Sequence, residues 1–152
     1  MENQKNPINE DKYQNLLSEI SKNLNQNFLI IGPECSGKSR LVKDLTKNKK
    51  TVWINGLMLK KILSFHPFLF SDCREQTEYV CFDDFNKAEY FIDILMSFAT
   101  NGIRVNIQHE KPIHINPNII IISNDFNLEK YYRNASFNRR YKLINTNCLV
   151  NI

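Results

Sequence analysis

Residues 32 to 39 read Gly32-Pro33-Glu34-Cys35-Ser36-Gly37-Lys38-Ser39, the pattern G-x-x-x-x-G-K-[ST]. They stand directly after the apolar run Phe28-Leu29-Ile30-Ile31 and before a helix-like segment, Arg40 to Lys47. A strand that feeds a glycine loop into the start of a helix is the context of a phosphate cradle, so the motif constrains the fold as well as the chemistry. Gly32 and Gly37 tolerate positive φ, which lets successive N–H groups converge on phosphate oxygens, and the helix adds its positive end. Lys38 would reach the β- and γ-phosphates of a nucleotide, and Ser39 a Mg²⁺ ion. The expected nucleotide loop is Gly32, Pro33, Glu34, Cys35, Ser36, Gly37, Lys38, Ser39 and the adjoining Arg40. The same eight residues occur by chance as a plain glycine turn, but the flanking strand and helix favour the cradle.

Strand and helix signals alternate along the rest of the chain, the pattern of an α/β parallel sheet flanked by helices. Leu16, Leu17, Ile20 and Leu24 give residues 10 to 24 a helical period. Strands are expected at 28–31, 51–54, 78–82, 118–122 and 141–144, with helices at 57–65 and 87–100 and a loop at 66–77. Ile103 to Ile107 and Ile113 to Ile115 alternate strictly about the polar stretch Gln108 to Pro112, the signature of a β-hairpin. At 152 residues, 42% of them hydrophobic, the chain suits one domain and falls short of two. We divide it into an N-terminal helical segment, 1–27, and a P-loop domain, 28–152.

No window approaches the roughly 18 apolar residues of a membrane span, and Met1 to Lys12 lacks the apolar centre of a signal peptide. A cytoplasmic protein, neither secreted nor membrane-bound, is expected. Cys35, Cys73, Cys81 and Cys148 show no C-x-x-C pairing, so reduced thiols are expected in preference to a zinc site or a disulfide framework. The net charge of +4 permits a polyanionic partner without requiring one.

Two further motifs carry chemistry. Asp83-Asp84 closes the apolar strand 78–82, at the edge where open parallel sheets bind ligands. Mg²⁺ takes one or two carboxylates and keeps waters, so Asp83 is assigned to the metal and Asp84 to an attacking water. Alone, the pair would read as a solvated turn or helix cap. Ile119-Ile120-Ile121-Ile122-Ser123-Asn124 is a strand too apolar for exposure that delivers an amide at its end. Asn124 could bond the γ-phosphate or the water, or could simply begin the turn before Asp125.

The three motifs, in this order, resemble the superfamily 3 helicases. These are ring-forming ATPases of the AAA+ group, typical of small viruses and replicating plasmids. That family has a cradle of the form G-P-x-x-S-G-K-[ST], a strand ending in paired acids, and a strand ending in Ser or Thr followed by Asn. The likeness spans roughly residues 28 to 146. It implies a three-layer P-loop NTPase sandwich of about five mostly parallel strands with an inserted β-hairpin, ATP and Mg²⁺ as ligands, and single-stranded DNA as a partner. The family's hairpin lysine corresponds to Lys111, with His109 and His114 as auxiliary contacts; a solvated hairpin tip is the plainer alternative. Ser136 to Tyr141 resembles the segment bearing an arginine finger, with Arg140 the best match and Arg139 in reserve. A basic patch at a strand start would look the same. The resemblance further implies a homo-oligomer, a hexameric ring, and a cytoplasmic or host-cell setting. Only about 27 residues precede the first strand, and no His-hydrophobe-His nicking motif is present, which leaves three readings open: a minimal ATPase core, one module of a split replication protein with a separate origin-binding or nicking protein, or a relative that kept the ATPase and lost the motor.

Two other readings fit the cradle. A small P-loop kinase would need an Arg-rich lid, yet loop 66–77 holds only Arg74. An ATP-dependent adaptor or helicase loader would hydrolyse slowly and respond to protein in place of DNA. Without metal-binding histidines, Tyr131-Tyr132 are expected as packing or stacking residues in preference to nicking tyrosines, and the aromatics Trp53, Phe65, Phe68, Phe70, Phe82, Tyr90, Phe91 and Phe98 are expected to pack, with Phe68 and Phe70 the alternatives for meeting a base or a neighbouring subunit.

Overall fold

Near-continuous apolar runs become the inner strands of one sheet, because only strands covered on both faces tolerate such composition. The computed structural model describes residues 7–56, 69–86 and 88–150. In chain order the elements are α1 (Glu10–Ser21), β1 (Asn27–Ile31), α2 (Lys38–Leu45), β2 (Thr51–Asn55), β3 (Tyr79–Asp83), a 3₁₀ turn (Ala88–Phe91), α3 (Ile92–Asn101), β4 (Ile103–Val105), β5 (Ile113–Ile115), β6 (Asn118–Ser123), α4 (Leu128–Arg133), α5 (Ala135–Arg140), β7 (Tyr141–Asn145) and a second 3₁₀ turn (Thr146–Leu149).

Five strands form a sheet in the order β2-β3-β6-β1-β7, and every pairing is parallel. Among the described residues the sheet, expected to be mostly parallel, is parallel at every pairing. Phe28 lies opposite Ile120 and Ile31 opposite Ser123, while Ile31 also lies opposite Asn145 of β7. This register brings the ends of β1, β3 and β6, with their polar residues, to one edge of the sheet.

Side chains alternate across the sheet and feed two cores. Phe28, Ile30, Cys81, Ile120 and Ile122 meet Tyr13 and Ile20 of α1 and Leu41, Val42 and Leu45 of α2. Leu29, Ile31, Val80, Phe82, Ile119 and Ile121 meet Leu95, Tyr131 and Phe137 on the other face. The result is a three-layer sandwich. Truncating a fully buried member such as Ile121 or Phe137 to Ala would cost about 2–5 kcal/mol. Burial drives the Cys81 thiol well above its ordinary range, and Cys73 is raised to about 11 for the same reason. All four cysteines are free thiols.

The N-terminal segment joins this body. Asn9 caps α1 by accepting from Lys12 N at 3.1 Å, Ile8 makes an antiparallel bridge with Val150, and Tyr13 is fully buried.

The hairpin forms between α3 and β6 as a separate two-stranded sheet pairing Ile103 with Ile115, Arg104 with His114 and Val105 with Ile113. Ile103, Val105 and Ile115 enter the core, which leaves Arg104 and His114 on the outer face.

Some boundaries differ from expectation. The helix expected at 87–100 starts as a 3₁₀ turn and becomes α-helical only at Ile92. Phe85 N donates to Ile122 O at 2.9 Å, which pulls the exit of β3 back onto β6 before a helix can begin. Trp53 and Tyr90 are 37% and 68% exposed, because Trp53 sits on the edge strand β2 and Tyr90 on the surface 3₁₀ turn. Phe70 does pack, edge-on to Phe82 and Phe98 at 6.1 and 5.3 Å. The helix expected at 57–65, and Phe65, Phe68 and Lys87, lie outside the described residues. Among the described residues no helix is long and apolar enough to cross a membrane.

Candidate nucleotide site

At the end of β1 the chain turns through Gly32 at φ 153°. A Cβ built there would stand 2.1 Å from Thr146 Oγ1 and 2.8 Å from Ser36 Oγ, so no side chain fits. Gly37 caps α2 at φ 90°, a conformation that costs other residues strain, and its open side faces Ile8 Cδ1 at 3.1 Å. Between them Cys35 adopts φ 59°. The loop's sharp path therefore depends on the glycines that the motif supplies.

Lys38, only 6% exposed, donates from Nζ to Gly32 O at 2.8 Å and Pro33 O at 2.6 Å. Burial holds its pKa below the usual lysine range, against the opposing pull of Asp84, Cys35, Glu34 and Asp83. A cation desolvated among neutral carbonyls gains strongly from an arriving anion. Ser39 Oγ donates to Asp83 Oδ1 at 3.3 Å. A hydroxyl beside a carboxylate at a strand end is a donor set that suits a hard divalent cation. The backbone turns sharply at Asp84, φ 54°, whose N–H is bonded to Asp83 Oδ1 at 3.0 Å. From β6, Asn124 arrives with its backbone N–H fixed by Asn86 Oδ1 at 2.9 Å.

These elements enclose a cleft of about 350 Å³ whose lining includes Glu34, Cys35, Lys38, Asp83, Asp84 and Asn124. Ser39 and Arg40 also border it, while Ser36 is buried beneath. The residues expected at the phosphates, the metal and the water are thus gathered at one sheet edge. Arg40 has a second engagement. Its guanidinium bonds both Glu10 oxygens at 2.8 and 2.9 Å and stacks 4.0 Å above the Tyr13 ring, tying the cradle helix to α1.

Other expected residues lie apart from this cleft. Arg140 closes α5 where β7 begins, at the sheet edge opposite the cradle, with Nε donating to Thr100 Oγ1 at 2.7 Å and a guanidinium N–H to Ser136 O at 2.9 Å. Arg139 is exposed beside it. His109, Lys111 and His114 are exposed on the hairpin. A groove of about 460 Å³ there is lined by Lys111, His114, Pro112, Ile113 and Arg104. Arg104 escaped the sequence reading, although the alternation that defined the hairpin already put it on the face of His114. Thr146 and Asn86 escaped as well, and no local pattern marks either. Tyr131 packs, donating to Tyr141 O at 2.5 Å, whereas Tyr132 is 63% exposed. Arg74 donates to Ser71 O and Cys73 O of its own loop at 2.6 and 2.8 Å.

No protein-family model matches the chain, and neither does any curated protein sequence. Solved structures do match in fold. NtrX from Brucella abortus in complex with ATP aligns with a TM-score of 0.57 at 13% identity, over 96% of this chain and 37% of that one. The same protein in complex with ADP aligns at 0.55 and 12%, over 90% and 35%. The S. cerevisiae Hsp104-ADP complex aligns at 0.53 and 14%, over 88% and 32%. The chain spans about a third of the length of the solved chains it matches. The likeness is one of fold, an α/β sandwich around a five-stranded parallel sheet, and two of these solved structures are in complex with ADP and one with ATP.

Proposed function

We propose that this chain binds ATP with Mg²⁺ in the cradle cleft and hydrolyses it, as the ATPase core of a superfamily 3 type ring acting on single-stranded DNA. The observation that carries the reading is the meeting of a buried Lys38, the Ser39–Asp83 pair, Asp84 and Asn124 around one cleft. Nucleotides in the fold relatives, ATP and ADP with NtrX and ADP with Hsp104, support it.

Lys38 exchanges its two carbonyl partners for phosphate oxygens, and the cradle amides complete the grip. Ser39 and Asp83 would hold Mg²⁺, which would neutralise charge developing on the phosphate oxygens. Asp84 accepts a hydrogen bond from the attacking water and Asn124 orients it, so that catalysis comes chiefly from positioning and electrostatics. Arg140 lies at the far sheet edge from its own cleft, which suits service to a neighbouring subunit. Lys111, with His109, His114 and Arg104 on the hairpin, offers cations to a phosphate backbone.

The test is phosphate release from ATP across a range of protein concentrations, with and without single-stranded DNA, for the wild type, Lys38→Ala and Arg140→Ala. A rate that climbs with concentration and with DNA, and is lost in both variants, is expected. A slow rate indifferent to DNA and to Arg140 would remove the motor and leave an isolated ATPase.

A further inference from the structure

We propose that Thr146 is a positioning residue for the phosphate cradle. Its buried hydroxyl, 110 residues from the loop in sequence, sets the conformation in which the loop receives phosphate. The inference rests on the nucleotide reading above and adds a residue that lies outside the three motifs.

Thr146 and Ser36 are both fully buried. Thr146 Oγ1 donates to Ile31 O at 3.1 Å and lies 2.5 Å from Ser36 Oγ. A hydroxyl has one proton to give. With that of Thr146 spent on Ile31, the proton of the second bond comes from Ser36, so the chain runs Ser36 to Thr146 to Ile31 in one direction. It spans the loop, from the last residue of β1 to the residue before Gly37. The loop closes on itself through Ser36 N to Pro33 O at 3.3 Å. The carbonyls that hold Lys38 belong to Gly32 and Pro33 of this same turn. Gly32 leaves room for this arrangement, since a Cβ there would overlap Thr146 Oγ1.

The position of Thr146 is imposed by the sheet. Asn145 pairs with Ile31 in the β1–β7 register, and Asn145 Oδ1 accepts from Asn147 N at 2.9 Å. Thr146 is thereby turned inward at the start of the terminal 3₁₀ turn. Without its hydroxyl, Ser36 loses a buried partner and the amides of Cys35 to Lys38 are free to leave the phosphate geometry.

Thr146→Val keeps the shape and removes the hydroxyl, whereas Thr146→Ser keeps the hydroxyl. Hydrogen–deuterium exchange of the peptide covering 31–38 is measured on the ligand-free full chain, with the melting temperature as a folding control. Fluorescent ATP binding, with KM and kcat, is measured on the same variants. In Thr146→Val, exchange is expected to rise by about tenfold or more, with a comparable loss of ATP affinity that falls on KM more than on kcat. Thr146→Ser should restore both. Wild-type exchange and affinity in Thr146→Val would overturn the proposal, as would equal impairment in Val and Ser, which would assign the effect to packing of the methyl. If Thr146→Val fails to fold, Ser36→Ala cuts the chain from its other end and must show the same loosening, or the proposal fails. A wild type that binds no nucleotide would defeat the preceding reading, while the exchange data would still decide whether the Thr146 hydroxyl holds the loop.

Discussion

The cradle and the hairpin are built on opposite principles. At the cradle, Ser36 and Thr146 are fully buried and Lys38 is 6% exposed, and each of these three side chains is met by a named partner. On the hairpin, Arg104, His109, Lys111 and His114 all stand exposed, carried by two strands of three residues each outside the main sheet. Chemistry on a phosphoryl group requires donors fixed to a fraction of an ångström, which only packing against a core can provide. Contact with a polymer backbone requires cations within reach and tolerates their motion. The two regions therefore ought to fail in different ways when mutated.

The sharpest contrast is expected from Lys38→Ala, which should lower ATP hydrolysis by about 10²–10³-fold, the scale of losing one preorganised donor. The melting temperature of the ligand-free protein should not fall in step, since the folded state already disfavours the charge of Lys38. A variant that hydrolyses normally would show that the cradle is only a glycine turn. A smaller loss, about 10–100-fold, is expected from Asp83→Asn. Its signature is a rise in the Mg²⁺ concentration needed for half-maximal activity, read by titration. An unchanged Mg²⁺ requirement would move the metal away from the 3.3 Å pair with Ser39.

How much of this the sequence revealed follows the distances over which it was settled. The cradle, Asp83-Asp84 and Ser123-Asn124 were legible because each is a polar cluster contiguous with an apolar strand, and parallel strands present those clusters at one edge. Thr146 was not, because its partner Ser36 is set by the pairing of β7 with β1. Arg40 looked like part of the cradle, and its tie to Glu10 arises only once α1 lies across α2. Trp53 looked like core since its tetrad Thr51 to Ile54 is β-rich. The sheet order makes β2 an edge, and its pattern of partial burial follows. Local chemistry was readable, and placement dependent on register was not.

On the hairpin the expected effects are gentler. Lys111→Ala and Arg104→Ala should each weaken single-stranded DNA binding and reduce the slope of log affinity against log salt by about one phosphate contact, or about 0.7 for a single strand. Fluorescence anisotropy over a salt series measures this. A slope that does not change would leave both cations as solvated surface charges. A loss that appeared equally in hydrolysis without DNA would erase the distinction between hairpin and cradle.

The smallest effect belongs to the junction of the N-terminal segment with the cradle helix. Hydrogen bonding to Arg40 holds the Glu10 carboxyl below its ordinary value of 4.5, outweighing its slight desolvation. A depressed carboxylate pKa means that the unfolded chain takes up protons first as the pH falls. The Glu10–Arg40 contribution is therefore present above about pH 4.5 and drains away below it. Both side chains are exposed, so screening keeps the effect small. Glu10→Gln should melt slightly below the wild type at pH 7, and the two curves should converge near about pH 3. Equal melting temperatures at pH 7 would place the hold on Arg40 in its stacking over Tyr13. The outer wall of the cradle, where Ile8 meets Gly37, would then be held by packing and not by this ion pair.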